Sequence, residues 1–168
     1  MVATPLRTKN KIQHDKHYRI SHRLPPPPSF SNILAGSANQ IDACVDVGVV
    51  AKCLEVLQYD SLAIGKEAAW CLGNMTSGAS KATLEVVMTG NLLLPALATF
   101  AVRSRDPHVI QVVVAATTNI CDRFGVETEL VQAAVTGALE VLDQVAEDDA
   151  FLALTQILEG VAERVAPE

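Results

Sequence analysis

The chain is poor in aromatic residues: among its 168 residues are four Phe, two Tyr and one Trp, although 49% of the sequence is hydrophobic. Ala, Val and Leu supply most of the apolar side chains. Such residues suit helices that pack closely on other helices, and the length is typical of one domain. The composition is therefore ample for the core of a single domain.

Long apolar segments are also missing. No run of 18 apolar residues is present, and the N-terminus lacks the apolar stretch of a secretory signal. We therefore expect no membrane span and no membrane partner. The four cysteines form no CxxC pair and no zinc spacing, and they lie among apolar residues. They are expected to be reduced, buried thiols of an intracellular protein, with no metal site. They are Cys44, Cys53, Cys71 and Cys121.

Motifs of catalysis are absent as well. The sequence contains no Ser-His-Asp motif, no HExxH motif and no phosphate-binding glycine loop. His108 is the one histidine beyond the N-terminal segment, and it follows Pro107, where an exposed polar residue at a helix start is ordinary. We predict that the protein is not an enzyme, with no catalytic residue and no cofactor.

Charge is unevenly distributed. Residues 1–23 hold six basic side chains and one acidic side chain, a net charge of +5. The remaining chain holds 7 basic and 18 acidic side chains, a net charge of −11. An acidic body attracts basic partners and disfavours nucleic acid.

Residues 1–28 differ from the rest of the sequence. They are polar, show no helical or strand period and end in four prolines, which favour polyproline II. We predict a disordered basic tail with a stiff end. Two more specific alternatives are that Leu24–Pro28 is a ligand of EVH1-type domains and that His14, His17 and His22 form a metal site. Without a folded frame, metal binding by these histidines would be adventitious.

A near-repeat organises the rest of the chain. Asn32 begins a segment that returns as Asn74-Met75-Thr76-Ser77-Gly78-Ala79 and, more weakly, as Asn119-Ile120-Cys121. The asparagines are separated by 42 and 45 residues, and helical repeats of this length are typical of armadillo or HEAT arrays. Such arrays usually bind other molecules along an extended concave surface.

Each repeat is predicted to hold a short helix, a second helix and a longer third helix, a pattern that favours armadillo over two-helix HEAT. Ser61 is a predicted N-cap, Asp106 caps a helix that begins at Pro107, and Gly78 is predicted to end a helix in the left-handed region. Ile64, Ala68, Cys71, Leu72 and Met75 form the predicted core stripe of the third helix. The predicted helices are Gln40–Val47, Val49–Gln58 and Ser61–Thr76; Lys81–Met88, Asn91–Arg103 and Pro107–Arg123; and Glu127–Val135, Ala138–Val145 and Asp149–Val165.

We therefore predict an all-α, right-handed armadillo solenoid of about three repeats over residues 29–168. The repeats cover about 29–78, 79–125 and 126–165. The first is expected to be truncated, so that the array begins partway through a repeat, because Pro25 and Pro28 precede Asn32 by the same spacings as Glu67 and Trp70 precede Asn74.

Glu67, Trp70 and Asn74 fall on one helical face, away from the core stripe. In a purely structural interpretation, Trp70 fills a gap between repeats and Asn74 caps a neighbouring carbonyl. A functional interpretation has Asn74 bonding the backbone of an extended peptide, Trp70 holding a Lys or Arg side chain, and Glu67 neutralising its charge.

The text KEAAWCLGNMTSG of residues 66–78 resembles the third helix of an importin-alpha armadillo repeat, and Gly137–Leu142 with Glu147–Asp149 resembles that family's closing repeat. The resemblance covers residues 29–165. It implies a nuclear import adaptor, or a fragment of one, that binds basic nuclear localisation signals in the cytoplasm and nucleus. By resemblance the binding residues are Trp70, Asn74 and Glu67, with Asn32 and Asn119 at the asparagine positions of the flanking repeats.

The chain departs from that family's pattern in several places. In the repeat over residues 79–125, Ala115 and Val112 stand at the Trp and Glu positions, so one complete set of Glu, Trp and Asn remains. The basic tail lacks the dense arginines of an importin-beta-binding segment, and that function is not transferred. The alternatives are an armadillo scaffold or regulatory module that binds a nuclear transport receptor or another protein without binding signals, and a truncated product without independent activity.

Overall fold

Residues 30–59 and 61–165 are described by the computed structural model, and within these ranges the chain is helical with no strand. The predicted tail, including its proline and histidine motifs, lies outside the described residues. The α-helices are α1 (Phe30–Ile33), α2 (Ala38–Asp46), α3 (Val49–Tyr59), α4 (Leu62–Gly78), α5 (Lys81–Met88), α6 (Leu93–Ser104), α7 (Pro107–Phe124), α8 (Glu129–Leu142) and α9 (Asp149–Ala162). Short 3-10 helices follow α8 and α9 at Asp143–Val145 and Glu163–Val165.

Two of the predicted helix starts are confirmed by their caps. The Ser61 hydroxyl accepts a hydrogen bond from the Ile64 amide at 3.4 Å at the start of α4. Asp106 caps α7, where its carboxylate accepts from the His108 amide at 2.8 Å and Pro107 takes the first helical position. Each cap satisfies a backbone donor that the first turn leaves open.

The helices form the expected all-α repeat fold. Helices α2, α3 and α4 have 9, 11 and 17 residues, and α5, α6 and α7 have 8, 12 and 18. The order of short, medium and long helices is therefore confirmed for two units. The single turn of α1 packs on α4 ahead of the first complete unit, and α4 packs along α7.

The third unit differs from the prediction. The helices predicted at Glu127–Val135 and Ala138–Val145 are one continuous helix, α8, and Gly137 lies inside it. A Cβ at Gly137 would lie 2.9 Å from the Pro95 Cγ of α6. The glycine therefore permits close packing of α8 on α6 and does not interrupt the helix.

The helix end predicted at Gly78 is confirmed, but the left-handed conformation predicted there is wrong. Gly78 is the last residue of α4, and it does not have a positive φ. A Cβ at this position would collide with Ile41 Cδ1, so the glycine makes room for a core side chain of α2. Among the described glycines, positive φ occurs instead at Gly48, between α2 and α3, and at Gly125, after α7, with φ of 86° and 89°.

The core runs through the interfaces between successive units. On α4, Ala68, Cys71, Leu72 and Met75 are buried as predicted, but Ile64 is 37% exposed. Ile64 lies in the first turn of α4, at the mouth of a surface cavity against α3. All four cysteines are free.

Burial of the cysteines follows the prediction only in part. Cys53 and Cys71 are buried, whereas Cys44 and Cys121 are half-buried. Within the described ranges, no single helix is long and apolar enough to span a membrane, and α5 with α6 passes that test only as a pair bent by 70°.

Candidate functional site

A groove of about 750 Å³ runs between the third helices of the two complete units, with α1 at one end. We call it the α4–α7 groove. It is lined by Asn32, Glu67, Trp70, Gly73, Asn74, Ser77, His108, Gln111, Val112, Ala115 and Asn119. All five residues predicted from the sequence therefore line one continuous surface.

Helical register explains the convergence. Glu67, Trp70 and Asn74 lie three and four residues apart on α4, so they share one face, while Leu72 and Met75 on the other face are buried in the core. Val112, Ala115 and Asn119 repeat this spacing on α7, 45 residues later. The two faces meet across the groove, with the large side chains on α4 and the small ones on α7.

Close approach of the two helices depends on a glycine. A Cβ at Gly73 would lie 3.0 Å from the Val112 Cγ1 atom, which is tighter than ordinary contact. Because no side chain intervenes at this position, α4 and α7 meet at the floor of the groove. Trp70 and Ala115 then form its walls.

Trp70 presents an open aromatic surface. Its side chain is 48% exposed, so it does not occupy a closed gap between units. In the described part of the chain, cations stack on Phe124, Phe100 and Phe151 at 5.3, 5.1 and 6.0 Å from the ring centroids, and none stacks on Trp70. The indole can therefore receive a cation from outside the described part of the chain.

Asparagine amides lie along the groove. Asn119 Nδ2 donates a hydrogen bond to the Thr76 hydroxyl at 3.1 Å, which ties α7 to α4. Thr76 in turn donates to the Gly73 carbonyl at 2.7 Å. This chain of hydrogen bonds fixes the Asn119 side chain at the groove, where amide groups can bond the backbone of an extended ligand.

An ion pair lines a smaller cavity beside the groove, together with Glu67, Trp70 and His108. Lys66 of α4 pairs with Asp106, the N-cap of α7. The hydrogen bond from Lys66, followed by that from the His108 amide, lowers the pKa of Asp106 to about 2. The His108 ring nitrogen Nδ1 lies 3.1 Å from the same carboxylate. Lys66 is thus neutralised locally, and Glu67 is the one carboxylate among the described residues that line the groove.

Comparison with known proteins finds a match to one repeat family. Residues 37–77 match the model of the Armadillo/beta-catenin-like repeat. The matched segment extends from the N-cap of α2 to the last turn of α4, and it contains Glu67, Trp70 and Asn74. No curated protein matches the chain.

The match supports an armadillo-repeat family, whose members are typically non-enzymatic solenoids that bind proteins. It covers one repeat and does not single out importin-alpha. Among the described residues, no group of three or more His, Cys, Asp or Glu side chains could hold a metal ion.

Several residues at the groove were not identified from the sequence. Ser77 lies one turn beyond Asn74 on α4, and Gln111 lies one turn before Ala115 on α7, so helical period alone could have found them. Arg123 is different: its guanidinium donates to the Ala79 carbonyl and, at 2.9 Å, to the Ser77 carbonyl. It caps the C-terminus of α4 from α7, and no local sequence pattern indicates this contact.

Proposed function

We propose that the α4–α7 groove binds basic peptides of the nuclear localisation signal class, and that the chain acts as an importin-alpha-like import adaptor or as a fragment of one. The observation that carries the proposal is the convergence of Glu67, Trp70 and Asn74 with two further asparagines, Asn32 and Asn119, in one groove. Such an adaptor would work in the cytoplasm and the nucleus.

The chemistry of the groove suits an extended peptide with lysine or arginine side chains. The aliphatic stem of such a side chain packs on the exposed indole of Trp70, and its cation is attracted to the face of the ring. Glu67 lies one turn away on α4 and supplies an opposite charge. The asparagine amides offer both donors and acceptors to the peptide backbone, which an extended strand otherwise leaves unpaired.

Long-range charge favours the same ligand. The chain from residue 24 onward carries a net charge of −11, and several of its cations are already engaged by neighbouring groups. Lys66 pairs with Asp106, Arg105 with Asp148 at 2.6 Å, and Arg123 bonds backbone carbonyls. An acidic surface of this kind steers a basic peptide toward the groove.

Isothermal titration with a lysine-rich peptide tests the proposal, with the Lys→Ala version of that peptide as ligand control. We expect saturable binding of the basic peptide alone. Glu67→Gln should weaken it about 3- to 30-fold, because one charge-assisted contact is lost while the shape of the side chain is kept.

Glu85→Gln is the matched control variant, since Glu85 is an exposed carboxylate on α5 that does not line the groove. It changes the net charge equally and should leave the affinity almost unchanged. Equal binding of both peptides, or equal effects of the two variants, would contradict a site at Glu67.

A scaffold that binds a transport receptor or another protein, without binding signals, is the second candidate. One observation favours it: α7 presents Val112 and Ala115 at the positions that correspond to Glu67 and Trp70 of α4, so α7 supplies neither an acidic nor an aromatic side chain there. If the basic peptide fails to bind to a folded chain, this function replaces the first.

A further inference from the structure

Two thiols face each other beneath the surface of the first complete unit. Cys53 of α3 and Cys71 of α4 line one small cavity at the contact between these helices. They are 7% and 2% exposed. Helices α3 and α4 pack against each other, which keeps the two cysteines on facing helices.

A cavity connects this pair with solvent. Its volume is about 220 Å³, and both cysteines line it. Lys52 and Ile64 also line it and are exposed, so small molecules can enter from the surface. Its walls are largely apolar. The full lining is Val49, Lys52, Cys53, Val56, Ile64, Glu67, Ala68 and Cys71.

We propose that Cys53 and Cys71 form a redox-active dithiol that a hydroperoxide oxidises to an intramolecular disulfide joining α3 to α4. The cysteine cavity shares Glu67 with the α4–α7 groove, but its other lining residues differ. The dithiol chemistry does not require a bound peptide, so this proposal can be tested independently of the proposed function. Neither its geometry nor its chemistry requires a second protein.

The proximity of the two thiols makes them unequal. Interaction with the Cys71 thiol lowers the pKa of Cys53. The same interaction raises the pKa of Cys71, and burial and the negative charge of Glu67 add to this effect. Cys53 is therefore the nucleophile and Cys71 the resolving thiol.

Oxidation then takes two steps. The Cys53 thiolate attacks one oxygen of the hydroperoxide, the O–O bond breaks, and Cys53 becomes a sulfenic acid while the peroxide leaves as an alcohol after protonation. The Cys71 sulfur attacks the sulfenic sulfur and displaces hydroxide, which takes the Cys71 proton and leaves as water. Two electrons pass from the two thiols to the peroxide, and one S–S bond forms.

The two remaining cysteines lie in other surroundings. Cys44 is on α2, and Cys121 lines a separate groove between α7 and α9. Burial and the charge of Asp122 raise the pKa of Cys121, which makes it a poor nucleophile. Both can be replaced by serine without touching the pair.

The first experiment uses the full chain with Cys44→Ser and Cys121→Ser, so that only the pair remains. After hydrogen peroxide treatment, free thiols are counted in denaturant and the intact mass is measured. We expect both thiols to disappear together, with a mass lower by two hydrogen atoms, and both to return with dithiothreitol. Loss of one thiol at a time with added oxygen, dimers joined by disulfides, or no loss of thiols would each overturn the proposal.

The second experiment tests pairing without oxidation. Phenylarsine oxide exchanges its As–O bond for two As–S bonds and releases water, and its phenyl ring suits an apolar cavity. One equivalent should protect both thiols of the same variant, and Cys53→Ala in that background should bind at least about tenfold more weakly because a single thiol cannot chelate. Equal binding to the two variants would show that the thiols do not act as a pair.

Discussion

Replacing Trp70 with alanine removes the largest side chain of the α4–α7 groove and separates two roles that this residue could have. A Trp enclosed in a core costs about 3–5 kcal/mol of stability when it is truncated. Because 48% of Trp70 is exposed, its removal leaves no closed cavity, and we expect a stability loss of about 1–2 kcal/mol. A partly desolvated cation–π contact is worth about 1–2 kcal/mol of binding, or about 5- to 30-fold in Kd.

Urea unfolding and peptide titration of the same preparation measure the two quantities. Val86→Ala is the control for an exposed apolar side chain outside the groove, since Val86 on α5 is 73% exposed and should affect neither quantity strongly. A stability loss of about 3 kcal/mol or more for Trp70→Ala would identify a core residue. Unchanged peptide affinity in a folded Trp70→Ala variant would show that Trp70 does not contribute to peptide binding.

Three further predictions follow from packing and charge. Gly65→Ala should lose about 1–3 kcal/mol of stability, because the added methyl collides with the buried Phe100 ring. Gly160→Ala should gain about 0.5–1 kcal/mol, because no atom lies within 4 Å of the new methyl. Equal stabilities of the two variants in urea unfolding would contradict both expectations. The pKa of Asp106 is lowered to about 2, so its stabilising effect is present above the ordinary value of 3.8 and is lost as pH falls through 2. The Tm difference between the native chain and Asp106→Asn should therefore shrink between about pH 5 and pH 2, and a constant difference would argue against the ion pair. Peptide affinity should fall as salt rises, because charges are screened over about 8 Å near physiological salt, and a salt-independent Kd would indicate an apolar ligand.

Local chemistry made much of the fold predictable. Ser61 and Asp106 cap the helices that their side chains indicated, because capping depends on residues within one turn. The shared face of Glu67, Trp70 and Asn74 was predictable for the same reason, since helical period alone determines it.

Features that depend on distant residues were not predictable. A break between two helices was predicted around Gly137 and a left-handed helix end at Gly78, but each glycine makes room for a side chain from another helix, Pro95 and Ile41 respectively. The capping of α4 by Arg123 could not be predicted either, because the guanidinium donor and its carbonyl acceptors are more than 40 residues apart in the chain.

Trp70 is the only tryptophan of the chain, so its fluorescence reports directly on the α4–α7 groove. Titration of the native chain with the lysine-rich peptide should change the emission of Trp70 saturably, with the same midpoint as the calorimetric titration and no change for the Lys→Ala peptide. Calorimetric binding of the basic peptide with unaltered tryptophan emission would place the peptide elsewhere and contradict the central claim.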